Sequence, residues 1–238
     1  MDKVWDSLAL DNQADLAADQ ISAFYSHPIW IVNGIFSAVD PDSIAHRKSI
    51  AEYVDRLGAN QIMDYGGGFG ELALKLCAVR PELVVDIIEP YPSDIARTRM
   101  ETQRRIRYIS KIAEAYDCSI AQDVLEHLED PVQLLKKLTS ATRMGGYLIF
   151  ANCFYPVIKC HLPASFYLRH TLKWVVKSLG LAYRGRVPGA DHALVFQRIG
   201  PPNDTMLTYR CLTAKAVGPL LNAIAALYFR IFSHRKAS

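Results

Sequence analysis

The sequence predicts an α/β fold in which helices flank a mostly parallel sheet of seven strands. Three observations predict it. Short runs of aliphatic and β-branched residues alternate with segments of helical periodicity, the order that is typical of parallel βαβ units. The chain has 238 residues, a length that suits one α/β domain with additions at its ends. Half of the residues are hydrophobic and 21% are charged, as is usual for a globular protein.

The predicted elements follow one another between residues 61 and 198. We predict strands at 61–65, 83–89, 106–110, 119–122, 147–151, 181–186 and 192–198. We predict helices at 71–79, 93–105, 132–142 and 164–179, with Ser93 as an N-cap and Pro131 opening the third helix. An N-terminal helical extension that forms a lid is expected at residues 1–45, with a helix packed on the flank of the sheet as the alternative. The central domain is expected at 46–199 and a C-terminal helical tail at 200–238.

A glycine cluster follows the first predicted strand. Asp64 begins the segment Asp-Tyr-Gly-Gly-Gly-Phe-Gly, and a predicted helix starts directly after it. Glycines let a backbone approach a ligand closely, and the helix N-terminus offers unpaired N–H groups. A dinucleotide-binding loop that began at Gly66 would need a third glycine where Glu71 stands, and this carboxylate would repel a pyrophosphate. A phosphate-binding P-loop would need a Gly-Lys-Ser/Thr sequence, which does not follow.

The glycine cluster resembles the cofactor loop of class I S-adenosylmethionine-dependent methyltransferases. Asp64, Gly66, Gly68 and Gly70 match the Asp-x-Gly-x-Gly-x-Gly motif of that family. The resemblance implies that the loop surrounds the methionine part of the cofactor and that Asp64 holds its amino group. Glu89, at the end of the second predicted strand, matches the acid that accepts hydrogen bonds from both ribose hydroxyls. A carboxylate suits this role because it only accepts hydrogen bonds.

Residues 122–131 (QDVLEHLEDP) resemble a segment of the same family. It follows the fourth strand in small-molecule members, including ubiquinone-type methyltransferases. The likeness covers about residues 45–198 and implies a Rossmann-like fold, a methyltransferase activity and S-adenosyl-L-methionine as the cofactor. The residues expected to bind this cofactor are Asp64, Tyr65, Gly66, Gly67, Gly68, Gly70, Glu89, Pro90, Asp123 and Val124.

The acceptor site is less well defined by the sequence. In the family reaction the acceptor displaces the cofactor's sulfur in line, so the protein mainly aligns the acceptor and excludes water. His127 is the candidate general base, since it follows the fourth strand at the sheet edge where ligands bind, and a structural or positioning role is its alternative. No close grouping of histidines and carboxylates stands out, so we expect no metal site. Candidate acceptor-binding residues, with packing as the alternative, are Tyr25, Trp30, His161, Tyr167 and His192.

Charge is distributed unevenly along the chain. Residues 1–130 hold 12 Lys/Arg against 22 Asp/Glu, whereas residues 131–238 hold 15 against 2. Such asymmetry fits either an anionic partner or two halves that neutralise each other. We expect a small-molecule acceptor, and O-methylation of an anionic metabolite in particular. The alternatives are a lipid or quinone acceptor at the membrane and a non-catalytic subunit that binds the cofactor. We do not expect nucleic acid as a partner, because basic charge alone does not identify one.

The cysteines and the chain ends bear on the location of the protein. Five scattered cysteines without a CxxC pair, and no expected signal peptide, indicate a cytoplasmic protein. Residues 216–232 are apolar, but Asn222 and Arg230 make this stretch a poor transmembrane span. We expect it to pack on the core or on a second copy as a homodimer, with peripheral membrane contact as the alternative.

Overall fold

A seven-stranded sheet forms the centre of the protein, whose computed structural model describes residues 1–233. The strands are β1 (Gln61–Tyr65), β2 (Val84–Ile88), β3 (Ile106–Tyr108), β4 (Tyr116–Gln122), β5 (Thr142–Ala151), β6 (Leu181–Val187) and β7 (Ala190–Arg198). They lie in the order β3-β2-β1-β4-β5-β7-β6, and β7 runs antiparallel to both of its neighbours. This confirms the predicted Rossmann-like, mostly parallel sheet. Residues 234–238 of the predicted tail lie outside the described residues.

Helices precede, flank and follow the sheet. They are α1 (Asp2–Ser7), α2 (Ala18–Tyr25), α3 (Ile29–Val39), α4 (Pro41–Arg56), α5 (Glu71–Val79), α6 (Asp94–Met100), α7 (Pro131–Ala141), α8 (Leu168–Val175) and α9 (Asp204–Ser233). The N-terminal helices and the C-terminal helix are therefore confirmed, while the domain boundaries at residues 45 and 199 stay a prediction. The helix predicted to reach residue 105 ends at Met100, because the chain must turn before β3 can pair with β2.

Side chains at the start of two predicted helices fix where those helices begin. The Ser93 hydroxyl accepts a hydrogen bond from the Ala96 amide at 3.1 Å, and the Asp130 carboxylate accepts one from the Gln133 amide at 3.2 Å. Each bond satisfies an N–H group that has no partner within its helix. Pro131 occupies the first helical position, where an N–H group is not needed. The predicted N-cap at Ser93 and helix start at Pro131 are confirmed.

Apolar side chains cover both faces of the sheet. On one face α4 and α5 bury Ile50, Val54 and Leu76, and on the other face α7 and α8 bury Leu135 and Leu172. Burying one such side chain fully contributes roughly 1.5–3 kcal/mol relative to leaving it exposed. The sheet is thereby held rigidly, and the carboxyl ends of β1, β2 and β4 meet at one edge.

The N-terminal extension is fastened to the segment that follows β5. The Lys159 amide donates to the Asp2 carboxylate, and the Asn12 side chain donates to the Lys159 carbonyl, each at 3.0 Å. Beneath these bonds lies an apolar group that we call the N-terminal cluster. It consists of Trp5, Leu10, Phe24, Cys160 and Leu162.

The C-terminal helix α9 packs on the domain from its start to Asn222. Leu207 and Ala214 are buried, and the Asn222 side chain donates to the Phe166 carbonyl at 3.1 Å. Ile224 and Leu227, by contrast, are more than half exposed. By length and composition alone, α9 is the one helix of the described residues that could cross a membrane, and 11% of its apolar window is buried. The expected packing on the core therefore holds for one part of the tail.

Two glycines with left-handed backbones provide a test of the packing between β6 and the start of the tail. Gly180 has φ 75°, and a Cβ atom there would lie 2.1 Å from the Gly200 carbonyl oxygen, whereas Gly58 has φ 67° and open space around it. Gly58→Ala should lower the free energy of unfolding by about 1 kcal/mol, the cost of the backbone conformation. Gly180→Ala should cost about 3 kcal/mol, because backbone atoms must also move. Urea denaturation measures both values, and equal losses would contradict this account.

Candidate functional site

A cavity of about 840 Å³ opens at the carboxyl edge of the sheet. This volume is within the range of small-molecule sites in proteins. The ends of β1, β2 and β4 form its floor, and the N-terminal helices line another side. Nine of the ten predicted cofactor residues line it, and Gly70 lies outside as the N-cap of α5. The nine are Asp64, Tyr65, Gly66, Gly67, Gly68, Glu89, Pro90, Asp123 and Val124.

The glycine loop leaves no room for side chains at two positions. Gly66 has φ 73°, and a Cβ atom there would lie 2.4 Å from the Val124 side chain. A Cβ atom on Gly67 would lie 2.6 Å from an oxygen of Asp64. Both positions therefore require glycine, and the loop lies directly on the carboxylate at the end of β1.

Glu89 is held in place by the backbone at the end of β2. Its two oxygens accept hydrogen bonds from the Gly68 amide at 3.0 Å and the Tyr91 amide at 3.2 Å. Burial raises the pKa of Glu89, and these two bonds oppose the increase. A carboxylate can accept about four hydrogen bonds, so Glu89 retains acceptor capacity for a pair of hydroxyls. Tyr108 supports the same loop, because its hydroxyl donates to the Gly68 carbonyl at 2.6 Å.

Asp64 is a buried carboxylate with an unsatisfied oxygen. It is 2% exposed, and its Oδ2 atom has no hydrogen-bond partner within the described residues. Burial raises its pKa to about 7, the negative charge of Glu89 adds to the increase, and the positive charge of Arg47 opposes it. A buried carboxylate is costly unless a cation or a donor meets it. The ammonium group of S-adenosylmethionine has the charge and the donors that this oxygen lacks, so the residues fit the expected cofactor.

Arg47 is a site residue that the sequence analysis missed. It lies on α4 on the same side as the buried Ile50 and Val54, is 4% exposed and lines the cavity. Its guanidinium donates to the Ser37 hydroxyl at 2.8 Å. An arginine among the core-facing positions of an amphipathic helix is a signal that could have identified it. Its charge suits the carboxylate of the cofactor's methionine part.

Aromatic residues of the N-terminal extension cover the cavity. Tyr25 stacks on Tyr91 with ring centroids 5.4 Å apart, and Trp30 lies 5.0 Å from Tyr25. In α3, a Cβ atom on Gly34 would lie 2.3 Å from the ring of Phe69, so this helix lies against the glycine loop. The extension therefore contacts the glycine loop and the loop after β2. We call Tyr25 and Trp30 the aromatic lid, and the role of the extension as a lid stays a prediction.

Two histidines that line the cavity meet a glutamate buried behind them. Glu126, His127 and His161, which we call the histidine cluster, each bring one potential ligand atom within 4.8 Å of the others. The His127 Nδ1 atom donates to the Cys160 carbonyl at 3.0 Å, and the His161 Nδ1 atom donates to the Tyr155 carbonyl at 2.9 Å. Because a carbonyl only accepts, Nδ1 carries a proton in both rings, and Nε2 is the nitrogen that remains for a ligand.

The protonation states within the histidine cluster follow from burial. Burial lowers the pKa of His127 to about 4, and His161 adds to the decrease. Burial raises the pKa of Glu126 to about 8, and the negative charge of Asp123 adds to the increase. At neutral pH the cluster therefore holds a neutral His127 and a largely protonated Glu126. An imidazole of such low basicity is a weak general base for a hydroxyl group.

The structure does not bring two of the predicted acceptor residues to the main cavity. Tyr167 is 7% exposed and packs within the core, where a Cβ atom on Gly218 of α9 would lie 2.7 Å from its backbone. His192 lies 4.6 Å from His46 between ring centroids and lines a separate pocket of about 280 Å³. An acceptor-binding role for these two residues stays a prediction. Tyr25, Trp30 and His161 do line the main cavity.

Comparison with known proteins agrees with this site. A family model described as a methyltransferase domain matches residues 43–184, more than half of the chain. The chain belongs to the methyltransferase-domain family. This confirms the expected enzyme class, and with it S-adenosylmethionine as the cofactor.

Relatives of this methyltransferase are distant. The ubiquinone biosynthesis O-methyltransferase of Aliivibrio fischeri (strain MJ11) is 24% identical over 132 residues, which are 52% of this chain and 56% of that protein. The chain thus spans about half the length of the curated relatives that it matches. Human N-acetylserotonin methyltransferase shares 14% identity and a TM-score of 0.59 over 83% of this chain and 62% of that one. The plantazolicin methyltransferase BpumL shares 11% identity and a TM-score of 0.55, over 83% and 99%. These structures show the shared fold.

The pKa of Asp64 makes cofactor binding depend on pH. Because only the ionised carboxylate attracts an ammonium group, affinity should fall as the pH drops below about 7. The dissociation constant of S-adenosylmethionine should rise about tenfold from about pH 8 to about pH 6. Isothermal titration calorimetry measures it, and Asp64→Asn is the control, since its affinity should be weak at both pH values. A parent protein that responds to pH no more than this variant would contradict the role of Asp64.

Proposed function

We propose that the methyltransferase transfers the methyl group of S-adenosylmethionine to a hydroxyl oxygen of a small planar acceptor. One observation supports this most: a continuous cavity joins the glycine loop and Glu89 to the aromatic lid and the histidine cluster. The glycine loop and Glu89 suit the cofactor. The aromatic lid and the histidine cluster suit an acceptor that has an aromatic ring and an ionisable group. Oxygen is the acceptor atom in the name of the Aliivibrio fischeri relative, which is consistent with this choice.

The protein's own residues have three tasks in such a reaction. Asp64, Arg47 and Glu89 bind the ammonium, carboxylate and ribose groups of the cofactor, which supplies an already activated methyl group. Tyr25 and Trp30 hold the acceptor ring and exclude water, which aligns the two reactants. The histidine cluster lies where the acceptor hydroxyl must lose its proton, with His127 as the candidate proposed from the sequence.

The charge around the cavity favours an acceptor without a separate anionic group. Arg47 is the one Lys or Arg among the lining residues that the structure describes. Carboxylates at Asp64, Glu89 and Asp123 share this lining. The basic residues that suggested an anionic metabolite lie elsewhere, and Arg169, Lys173 and Arg186 surround the separate pocket. An anionic metabolite therefore has less support from the geometry than a neutral phenol or alcohol.

Matched acceptors test the charge preference. A screen with labelled cofactor should first identify a phenolic acceptor that accepts the methyl group. A derivative with a carboxylate on the same ring, away from the hydroxyl, should then show a kcat/KM at least about tenfold lower, because the cavity carries negative charge. A carboxylated acceptor that is used equally well or better would overturn this preference and restore the anionic metabolite.

A second candidate function is methyl transfer to a lipid-soluble acceptor at a membrane surface. The part of α9 that follows Asn222 supports it, because apolar side chains are exposed there. Between residues 205 and 238 the chain has no acidic residue, Arg230 lies near the end of the apolar stretch, and Arg235 and Lys236 follow it. Apolar helices next to basic residues bind anionic bilayers. The name of the relative, a ubiquinone biosynthesis enzyme, is consistent with such an acceptor.

Vesicle flotation tests the membrane contact. The full chain should float with vesicles that contain anionic phospholipid, and the double variant Ile224→Glu/Leu227→Glu should stay in the dense fraction, because two charges would have to enter the bilayer. Leu212→Glu is the matched control, since Leu212 is 65% exposed on the part of α9 that packs on the domain. Equal flotation of all three proteins, or none by the parent, would contradict membrane binding through the tip of α9.

A further inference from the structure

The histidine cluster has the composition and spacing of a metal site. Its three potential ligand atoms lie within 4.8 Å of one another. Nitrogen and oxygen ligands bound to one ion at about 2.1 Å lie roughly 3–4 Å apart, so small side-chain movements bring the three into place. Glu126 and His161 are distant in sequence, which explains why the sequence analysis expected no metal.

The histidines of the cluster form the same kind of hydrogen bond that orients histidine ligands in metal sites. Both Nδ1 atoms donate to backbone carbonyls, of Cys160 and of Tyr155. In metal sites a bond of this kind fixes the ring orientation and leaves Nε2 as the ligand. The ring centroids of His127 and His161 lie 4.9 Å apart and the angle between the ring planes is 81°, so the two rings meet edge to face and do not stack.

Packing alone does not explain the buried position of the Glu126 carboxyl group. The side chain is fully buried, and its Oε1 atom accepts a hydrogen bond from the Cys153 amide at 2.8 Å. Its Oε2 atom is buried without a hydrogen-bond partner within the described residues. A buried carboxylate oxygen in this condition destabilises the protein unless a donor or a cation meets it. Within the described residues Glu126 does not form a hydrogen bond with either histidine, so such a bond does not explain its buried position.

We propose that Glu126, His127 and His161 bind a divalent transition-metal ion of the zinc type. Two imidazoles and one carboxylate favour Zn²⁺ over Mg²⁺ or Ca²⁺, which prefer ligand sets made of oxygen. Three protein ligands leave a coordination position open, as in catalytic zinc sites. His127 and His161 line the cavity, so the open position faces the acceptor side.

The metal ion would have a direct role in the chemistry, and this part rests on the proposed function. An acceptor hydroxyl that bound at the open position would lose its proton to bulk solvent as it entered the cavity, before the aromatic lid excludes water, since a bound cation lowers the pKa of the O–H group. The resulting oxyanion attacks the methyl carbon of the cofactor. The new O–C bond forms as the C–S bond breaks and its electron pair passes to sulfur. The products are the methyl ether and S-adenosylhomocysteine, and the metal ion is neither oxidised nor reduced.

Zinc titration of the full chain tests the site independently of turnover. After removal of metal with a chelator, the protein should bind one Zn²⁺ per chain in competition with a chromogenic chelator. Glu126→Gln, His127→Ala and His161→Ala should each weaken binding by about 100-fold, because each removes one of three ligands. Co²⁺ in place of Zn²⁺ should produce visible absorption bands that the three variants lose.

Two controls make the zinc result decisive. His170→Ala removes an exposed histidine of α8 and should leave zinc affinity within about twofold of the parent. S-adenosylmethionine binding within about twofold of the parent in every variant shows that the fold persists. No stoichiometric Zn²⁺ binding by the parent, or binding that the ligand variants retain, would overturn the proposal.

Activity measurements distinguish a failure of the metal proposal from a failure of the proposed function. With an acceptor from the screen, metal removal should lower kcat about 100-fold and added Zn²⁺ should restore it. Full activity of the metal-free protein would overturn the catalytic role of the metal while methyl transfer stands. Zinc binding by the parent without methyl transfer to any hydroxyl acceptor would support the site and refute the proposed function.

Discussion

The burial of negative charge at one edge of the sheet is the constraint on which the rest of the site depends. The parallel strands β1, β2 and β4 end side by side, and they bring Asp64, Glu89 and Asp123 to the same cavity. Burial raises the pKa of each of the three, and at Asp64 the negative charge of Glu89 adds to the increase. Arg47 offsets part of this charge. The remainder makes the cavity receptive to a cationic ligand, and S-adenosylmethionine carries both a sulfonium and an ammonium group.

The same edge separates the two halves of the reaction. The glycine loop and Glu89 form the side that suits the cofactor, where backbone amides and carboxylates dominate. The aromatic lid and the histidine cluster form the side that we propose for the acceptor. Val124 lies between the two sides, since it fills the space beside Gly66 and the nearby His127 also lines the cavity.

Features that depend on short stretches of the chain could be predicted from the sequence. The sheet, the glycine loop, the N-cap at Ser93 and the start of α7 all follow from residues within a few positions of one another. The partnership of Glu126 with His161 depends on packing between distant elements, so no local pattern indicated it, whereas the position of Arg47 on the buried side of α4 is a local pattern that was overlooked. The sequence also did not indicate that α9 packs against Tyr167 or that His192 lines a separate pocket.

The N-terminal extension and the histidine cluster share one structural support. The N-terminal cluster joins Trp5 and Phe24 to Cys160, and the Cys160 carbonyl is the hydrogen-bond partner of His127. A substitution that loosens the packing of Trp5 or Phe24 would therefore also disturb the peptide that orients this imidazole. The helices that cover the cavity and the geometry of the histidine cluster are thus linked through a single peptide.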